Sequence, residues 1–201
     1  MLPLLSPYKN DKQARRRKEI MDAAAAVFAE KGYFTATIQD IADKLGMRAG
    51  SLYYYFSSKE AALEEICRRG AGSFNAYLEH VLATDVSAPE MIRAGIQHHL
   101  ASEARHYTTN FAFQRRNLPA NILPEMNALA RAYYILWERV FRRGIERGEL
   151  PHELNCKRAA VAAVSFCNGA VLSLAGKSAK ELDDTGAYFA ELFLKGVLPR
   201  T

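Results

Sequence analysis

Apolar positions along the chain recur with helical rather than strand spacing. Ile20, Ala24, Val27 and Phe28 fall at i, i+4, i+7 and i+8 within residues 14–31, the stripe of an amphipathic helix. Gly32 follows as a left-handed cap. After a short turn, "YFTA", Thr37 is a good N-cap with Asp40 three residues on, a capping box for a second helix whose buried stripe is Ile38, Ile41, Ala42 and Leu45. Gly46 stops that helix after two turns. A third, from about Arg48 to Tyr54, turns Leu52 and Phe56 inward, and Ser57 with Glu60 reads as a further capping box, opening a long helix to about Leu82. Pro89 then starts a helix reaching roughly His106, another covers about Tyr107–Asn117, and Pro124 opens a long one to Glu146. "RGELPHELN" is a loop, and two last helices cover about Cys156–Ala175 and Asp183–Val197. Alternating Val/Ile/Thr runs bounded by hairpin dipeptides are absent. The pattern predicts an all-α chain of about nine helices, with a small N-terminal unit over residues 1–60 and a larger helical unit over residues 61–201.

Composition fits a chain with a real core: of 201 residues, 49% are hydrophobic and 24% charged. One segment challenges that reading. Ala159 to Gly176 carries no charge over a length that flags a membrane helix. It is Ala-rich, however, holds Ser165, Asn168, Gly169 and Ser173, and lacks an aromatic belt, so a helix buried in protein fits better than a span. The three cysteines, Cys67, Cys156 and Cys167, show no metal or disulfide spacing, and "MLPLLSPY" has neither a basic region nor an apolar run long enough for a secretory signal. A reducing, cytoplasmic setting follows as the expectation.

Charge changes the picture more. The formal net charge is +5, and residues 1–18 hold Lys9, Lys12, Arg15, Arg16, Arg17 and Lys18 against the single acid Asp11. Such a block suits a polyanionic partner, nucleic acid before membrane, although a solvated tail would explain it as well when taken alone. The helices beside it decide between the two. Helix, glycine turn and short helix form the helix-turn-helix pattern, in which the first helix braces on the backbone and the second enters the major groove. Ala49, Gly50 and Ser51 keep the leading turn of the second helix small enough for close approach to base edges. With Leu52 and Phe56 in the core, Tyr53, Tyr54 and Tyr55 are left pointing outward, where a phenol can cover sugar and bond a phosphate oxygen. Lys59 adds a cation beside the free N–H groups of the next helix.

The stretch "RRRKEIMDAAAAVFAEKGYFTATIQDIADKLGMRAGSLYYYFSSKEAAL", residues 15–63, resembles the TetR family of bacterial transcriptional regulators. The Phe-x-x-Lys-Gly-Tyr turn, the Thr cap, the Ile-Ala pair and the Gly-Ser-Leu-Tyr-x-x-Phe-x-x-Lys-Glu string carry the likeness. The remaining two-thirds match only in length and helix pattern. The resemblance implies phosphate contacts from Thr37, Tyr53, Tyr54 and Lys59, and base reading by Gln39, Arg48, Ala49, Gly50 and Ser51. Tyr55 stands where a histidine is frequent, and Arg15, Arg16 and Arg17 fall where arms or first-helix ends approach the duplex. Arg48 is the best candidate for a bidentate guanine contact.

The C-terminal unit concentrates aromatic residues, and the resemblance implies that it houses a small-molecule effector cavity. Tyr107, Phe111, Phe113, Tyr133, Tyr134, Trp137 and Phe166 are the aromatic candidates for its lining, with Arg115 and Asn168 as polar ones; core packing explains any one of them equally well. Arg105, Arg115 and Arg116, with His98, His99 and His106, make this region cationic. A fatty acid or acyl-CoA would use both features. The alternative is a neutral or cationic hydrophobic compound of the drug-efflux type, which would want a buried carboxylate or an aromatic cage, for which Glu103, Glu125 and Glu138 are candidates. The last two helices are rich in small residues. The resemblance implies that they pair with a symmetry mate, with Ala163, Cys167, Ala170, Leu174, Ala187 and Ala190 at the interface, so that a homodimer presents two reading helices to a palindromic operator. No cofactor or metal is expected. Gly176-Lys177-Ser178 lacks the first glycine and the preceding strand of a phosphate loop, and no HExxH or GxSxG occurs, which argues against an enzyme. An architectural DNA-binding protein without ligand control stays open as the rival reading.

Overall fold

A computed structural model of the chain describes residues 12–101, 105–174 and 177–197. Lys9, Asp11, Glu103, Ala175 and Gly176 therefore lie outside the described residues. Those described form helices and no strand. The first three, α1 (Lys12–Lys31), α2 (Ile38–Leu45) and α3 (Ala49–Leu52), make the N-terminal unit, and α4 (Lys59–Ala83) leads out of it. Then come α5 (Ala88–Leu100) and α6 (Arg105–Thr109), a π-helical turn (Asn110–Gln114) and a 3₁₀ turn (Arg115–Asn117). The long α7 (Leu123–Glu146), α8 (Cys156–Ser173) and α9 (Ala179–Val197) complete the chain.

Local chemistry accounts for most boundaries. Thr37 and Asp40 form the expected reciprocal capping box on α2, and Gly46 closes it in the left-handed region at φ 61°. Ser87 and Glu90 do the same at the start of α5. Elsewhere the boundaries move. The cap of α4 is Ser58, whose Oγ accepts from the Ala61 amide, and not Ser57. Helix α9 begins four residues before Asp183, because Ser178 and Glu181 cap one another. The same bonds make Ser178 a helix cap, not part of a phosphate loop. Helix α5 ends at Leu100, short of His106.

Two cores organise these helices. Ile20, Ala24, Val27 and Phe28 of α1 meet Ile41, Ala42, Leu52 and Phe56 in the first. A second gathers α5, α7, α8 and α9 around Trp137 and Phe141. Helix α4 serves both: Ala62, Leu63, Ile66 and Cys67 fill the first, while Phe74, Leu78 and Val81 fill the second. The division expected between residues 60 and 61 thus falls inside a continuous helix. Gly95 lets α5 settle on Trp137, since a Cβ there would lie 2.6 Å from the indole ring.

Candidate DNA-reading surface and effector cavity

The outer face of α2 and α3 is built from side chains that the first core rejects. Leu52 (0% exposed) and Phe56 (5%) anchor α3, which leaves Tyr53 56% and Tyr54 74% exposed. Tyr55 is half-buried, with its ring edge-on to Tyr54 at 5.1 Å. Arg48 is the N-cap of α3, and its exposed side chain meets no carboxylate among the described residues; Gly50 and Ser51 are exposed and Ala49 is half-buried. Exposed Arg15 is also without a carboxylate partner there. Gln39 is exposed and donates to Asp43 at 2.7 Å, and Gln13 of α1 donates to the Tyr54 hydroxyl at 3.3 Å. An exposed face carrying Arg48 and two projecting phenols results.

Four of the expected contacts carry other duties. The Lys59 ammonium donates to the carbonyls of Tyr33 (2.8 Å) and Ala36 (3.0 Å) and lies 4.6 Å from the Tyr33 ring centroid. It ties α4 to the turn between α1 and α2 instead of projecting toward phosphate. Arg17 forks onto the Glu65 carboxylate, which also takes Arg69, and so joins α1 to α4. The two guanidinium groups hold Glu65 below the usual carboxylate range despite the opposing effect of burial. The Thr37 hydroxyl accepts from the Asp40 amide in the cap and gives its hydrogen to the Asp40 carboxylate at 2.8 Å, so it could donate to a phosphate oxygen only by giving up the bond to that carboxylate. Arg16 divides itself between Glu19 at 2.6 Å and the Met47 sulfur.

Behind the reading unit lies a cavity of about 70 Å³, lined by Ala71 and Phe74 of α4, His99 of α5, Phe111, Ala112 and Arg115 of the irregular turns, and residues of α7 and α8. From α7 come Leu129, Ala130, Tyr133 and Tyr134, and from α8 Val164 and Asn168. Five expected residues therefore meet there: Phe111, Arg115, Tyr133, Tyr134 and Asn168. Four do not. Tyr107 turns away and donates to Asp22 of α1 at 2.7 Å. Phe113 is absent from the lining, Trp137 is sealed in the second core, and Phe166 packs on Phe189 and Phe193 of α9. His99 is the residue the aromatic inventory overlooks. It continues the Ile92–Ile96–Leu100 face of α5, stacks on Phe74, and bonds the Tyr133 hydroxyl at 3.0 Å and Asn168 at 3.1 Å. Its place in an apolar helical stripe was the available signal. Burial pushes its pKa down to about 4, so the ring is neutral near pH 7. Arg115 lies 5.4 Å from the Phe111 ring and has no carboxylate partner among the described residues.

Besides α4, whose Ala71 and Phe74 line it, the cavity is tied to the reading unit by the irregular segment after α6. Asn110, fully buried, donates to the Ala25 carbonyl of α1 at 2.8 Å and to His106 at 2.7 Å. Next to it, Phe111 and Ala112 face the cavity. Of the six expected dimer-interface residues, Ala163, Cys167, Ala170, Leu174 and Ala190 are instead buried within their own chain, and Ala187 is half-buried. Small side chains have drawn α8 inward against α7. The exposed face of these helices carries Val161, Ala162, Ser165 and Gly169 on α8, and Tyr188 and Leu192 on α9. No described helix is long and apolar enough to cross a membrane.

Comparison with known proteins identifies both parts of the chain. Residues 20–66 match the bacterial regulatory proteins of the tetR family, and residues 85–197 match the tetracyclin repressor-like C-terminal domain. The transcriptional repressor KstR2 of Rhodococcus jostii RHA1 is 30% identical over 150 residues, 72% of each chain. The fold is shared with FadR of Bacillus subtilis in complex with stearoyl-CoA, at 23% identity and a TM-score of 0.66 over 89% of this chain and 98% of that one. It is also shared with AibR in complex with isovaleryl coenzyme A and operator DNA, at 19% identity and a TM-score of 0.73 over 92% and 100%. With both parts of the chain matched in order, the protein belongs to the TetR family of bacterial transcriptional regulators, a family of DNA-binding switches and not of enzymes.

Proposed function

We propose that the protein is a cytoplasmic, homodimeric repressor that leaves a palindromic operator when an acyl-CoA or related amphiphilic acyl compound enters the cavity. The observation that carries this reading is the lining: apolar walls from five helical segments, no carboxylate, and one guanidinium, Arg115, without an acidic partner among the described residues. A greasy chain with an anionic head suits such a lining, and the cavity of about 70 Å³ has to widen to admit it. A cationic drug does not, because Glu125 is held by Arg68 at 2.6 Å and Glu138 pairs with Arg142. The acyl-CoA complexes of FadR and AibR support the same chemistry. For the dimer, the exposed apolar strip of Val161, Ala162, Tyr188 and Leu192 is the proposed contact, replacing the inward-facing set.

Operator duplexes selected from a random pool, labelled for anisotropy, provide the test. Titration with acyl-CoAs of graded length should release the protein, and Arg115→Ala should weaken that response while leaving DNA affinity unchanged. Unaltered DNA binding in the presence of every acyl-CoA would remove the acyl reading and favour an architectural protein.

A further inference from the structure

Three polar side chains of the cavity lining, His99, Tyr133 and Asn168, bond one another in one place. His99 (2% exposed), Tyr133 (8%) and half-buried Asn168 stand together in the wall. Their hydrogen bonds can be counted atom by atom. Asn168 Oδ1 accepts from His99 Nε2, so the neutral ring keeps its proton there, and its Nδ1 accepts from the Tyr133 hydroxyl. Both ring nitrogens are then in use. The two N–H groups of Asn168 Nδ2 have no partner among the described residues, and the Tyr133 oxygen keeps acceptor capacity. Rotating the Asn168 amide and reversing the relay exchanges the two offers but still leaves one donor and one acceptor.

Resting on the acyl reading above, we infer that the effector is an acyl thioester whose hydrocarbon part bears a neutral oxygen function, a ketone or hydroxyl whose oxygen accepts from the Asn168 amide, a hydroxyl also donating to the Tyr133 oxygen. A bare methylene chain laid over Asn168 would strip water from its N–H groups and return nothing. A site built to bond an oxygen discriminates strongly against the analogue that lacks it, whereas one extra methylene in an apolar pocket changes little. The group is neutral because its partners are: His99 is held uncharged by burial, and Arg115 is the one cation lining the cavity among the described residues. A second carboxylate on the hydrocarbon would be buried against an amide and a phenol, with no counter-charge.

Pairs of acyl-CoAs matched for carbon number, one plain and one carrying a single hydroxyl or keto oxygen remote from the thioester, separate the possibilities. Direct binding is read from Trp137 fluorescence, and release from the anisotropy of a selected operator. The oxygenated member of at least one pair should bind and release at roughly tenfold lower concentration or better. Asn168→Leu, close in size, should erase or reverse that preference while keeping DNA affinity. Tyr133→Phe, which removes one oxygen from the relay, serves if the leucine variant fails to fold. Equal responses within every pair, or a preference surviving in the folded variant, would overturn this inference and leave the acyl reading intact. Silence toward both members of all pairs, with operator binding retained, would overturn both.

Discussion

Lys59 and Arg48 are both cations at the rim of the reading surface, yet their surroundings give them opposite duties. Lys59 is fixed by carbonyls of the turn after α1, so Lys59→Ala should destabilise the fold by about 1–3 kcal/mol, seen as a lower urea midpoint. Arg48 bonds nothing of that kind. Arg48→Ala should leave stability unchanged and relax operator preference at one base pair by about 1–3 kcal/mol, measured by gel shifts on single-base operator variants. From sequence the two are indistinguishable as basic residues near a recognition helix, because carbonyl partners from a distant turn are invisible there. His98 and His99 make a residue-scale prediction of another kind. Burial lowers both pKa values to about 4, beneath the unfolded value of 6.5. The unfolded chain therefore binds more protons across that window. Stability is complete above about pH 6.5 and falls as pH drops toward about 4, by up to about 1.4 kcal/mol per unit for each ring. Urea titrations across this range check the slope, which should shrink in His98→Gln, a change at a ring whose two nitrogens are buried without partners.

Among the elements, α2 was fully legible because both of its ends are written in local chemistry: Thr37 with Asp40 at one, Gly46 at the other. The starts of α4 and α9 were less so. Ser57 and Ser58 both precede Glu60 at distances that suit a cap, and only the backbone decides between them. At α9, the acidic pair Asp183–Asp184 drew attention from the Ser178–Glu181 box that starts the helix. The irregular segment after α6 was read as one plain helix, since no proline or glycine marks its π turn. Its aromatic residues were visible, but which of them would line the cavity depends on rotation about the helix axis. Tyr107, given to α1, and Phe111, given to the cavity, are one turn apart. This segment is the proposed joint between effector and reader. Tyr107→Phe, which removes the bond to Asp22, should preserve operator affinity in the absence of effector and raise the acyl-CoA concentration needed for release by roughly threefold to tenfold. Anisotropy titrations on both variants measure that coupling directly.

At the scale of the whole molecule, the small residues of the last two helices admit two packings. Such residues suit an interface with a second copy, but they also let helices of one chain approach closely, and α8 uses them that way. The proposed dimer face is the remaining one, so Val161→Arg together with Tyr188→Asp should yield a folded monomer that no longer retains the operator, shown by light scattering and gel shift. The shared membership of α4 in both cores has a mechanical result. Its 25 residues span about 37 Å at about 1.5 Å each. The cavity touches it at Ala71 and Phe74, so the arm from Phe74 to Lys59 is about 22 Å, and pivoting by about 8° around Phe74 sweeps the Lys59 end through about 3 Å, close to the ~3.4 Å rise between stacked base pairs. Two readers moved in opposite senses would fall out of step with adjacent major grooves, and a lever this long converts a shift too small to disturb either core into a mismatch of register on the duplex.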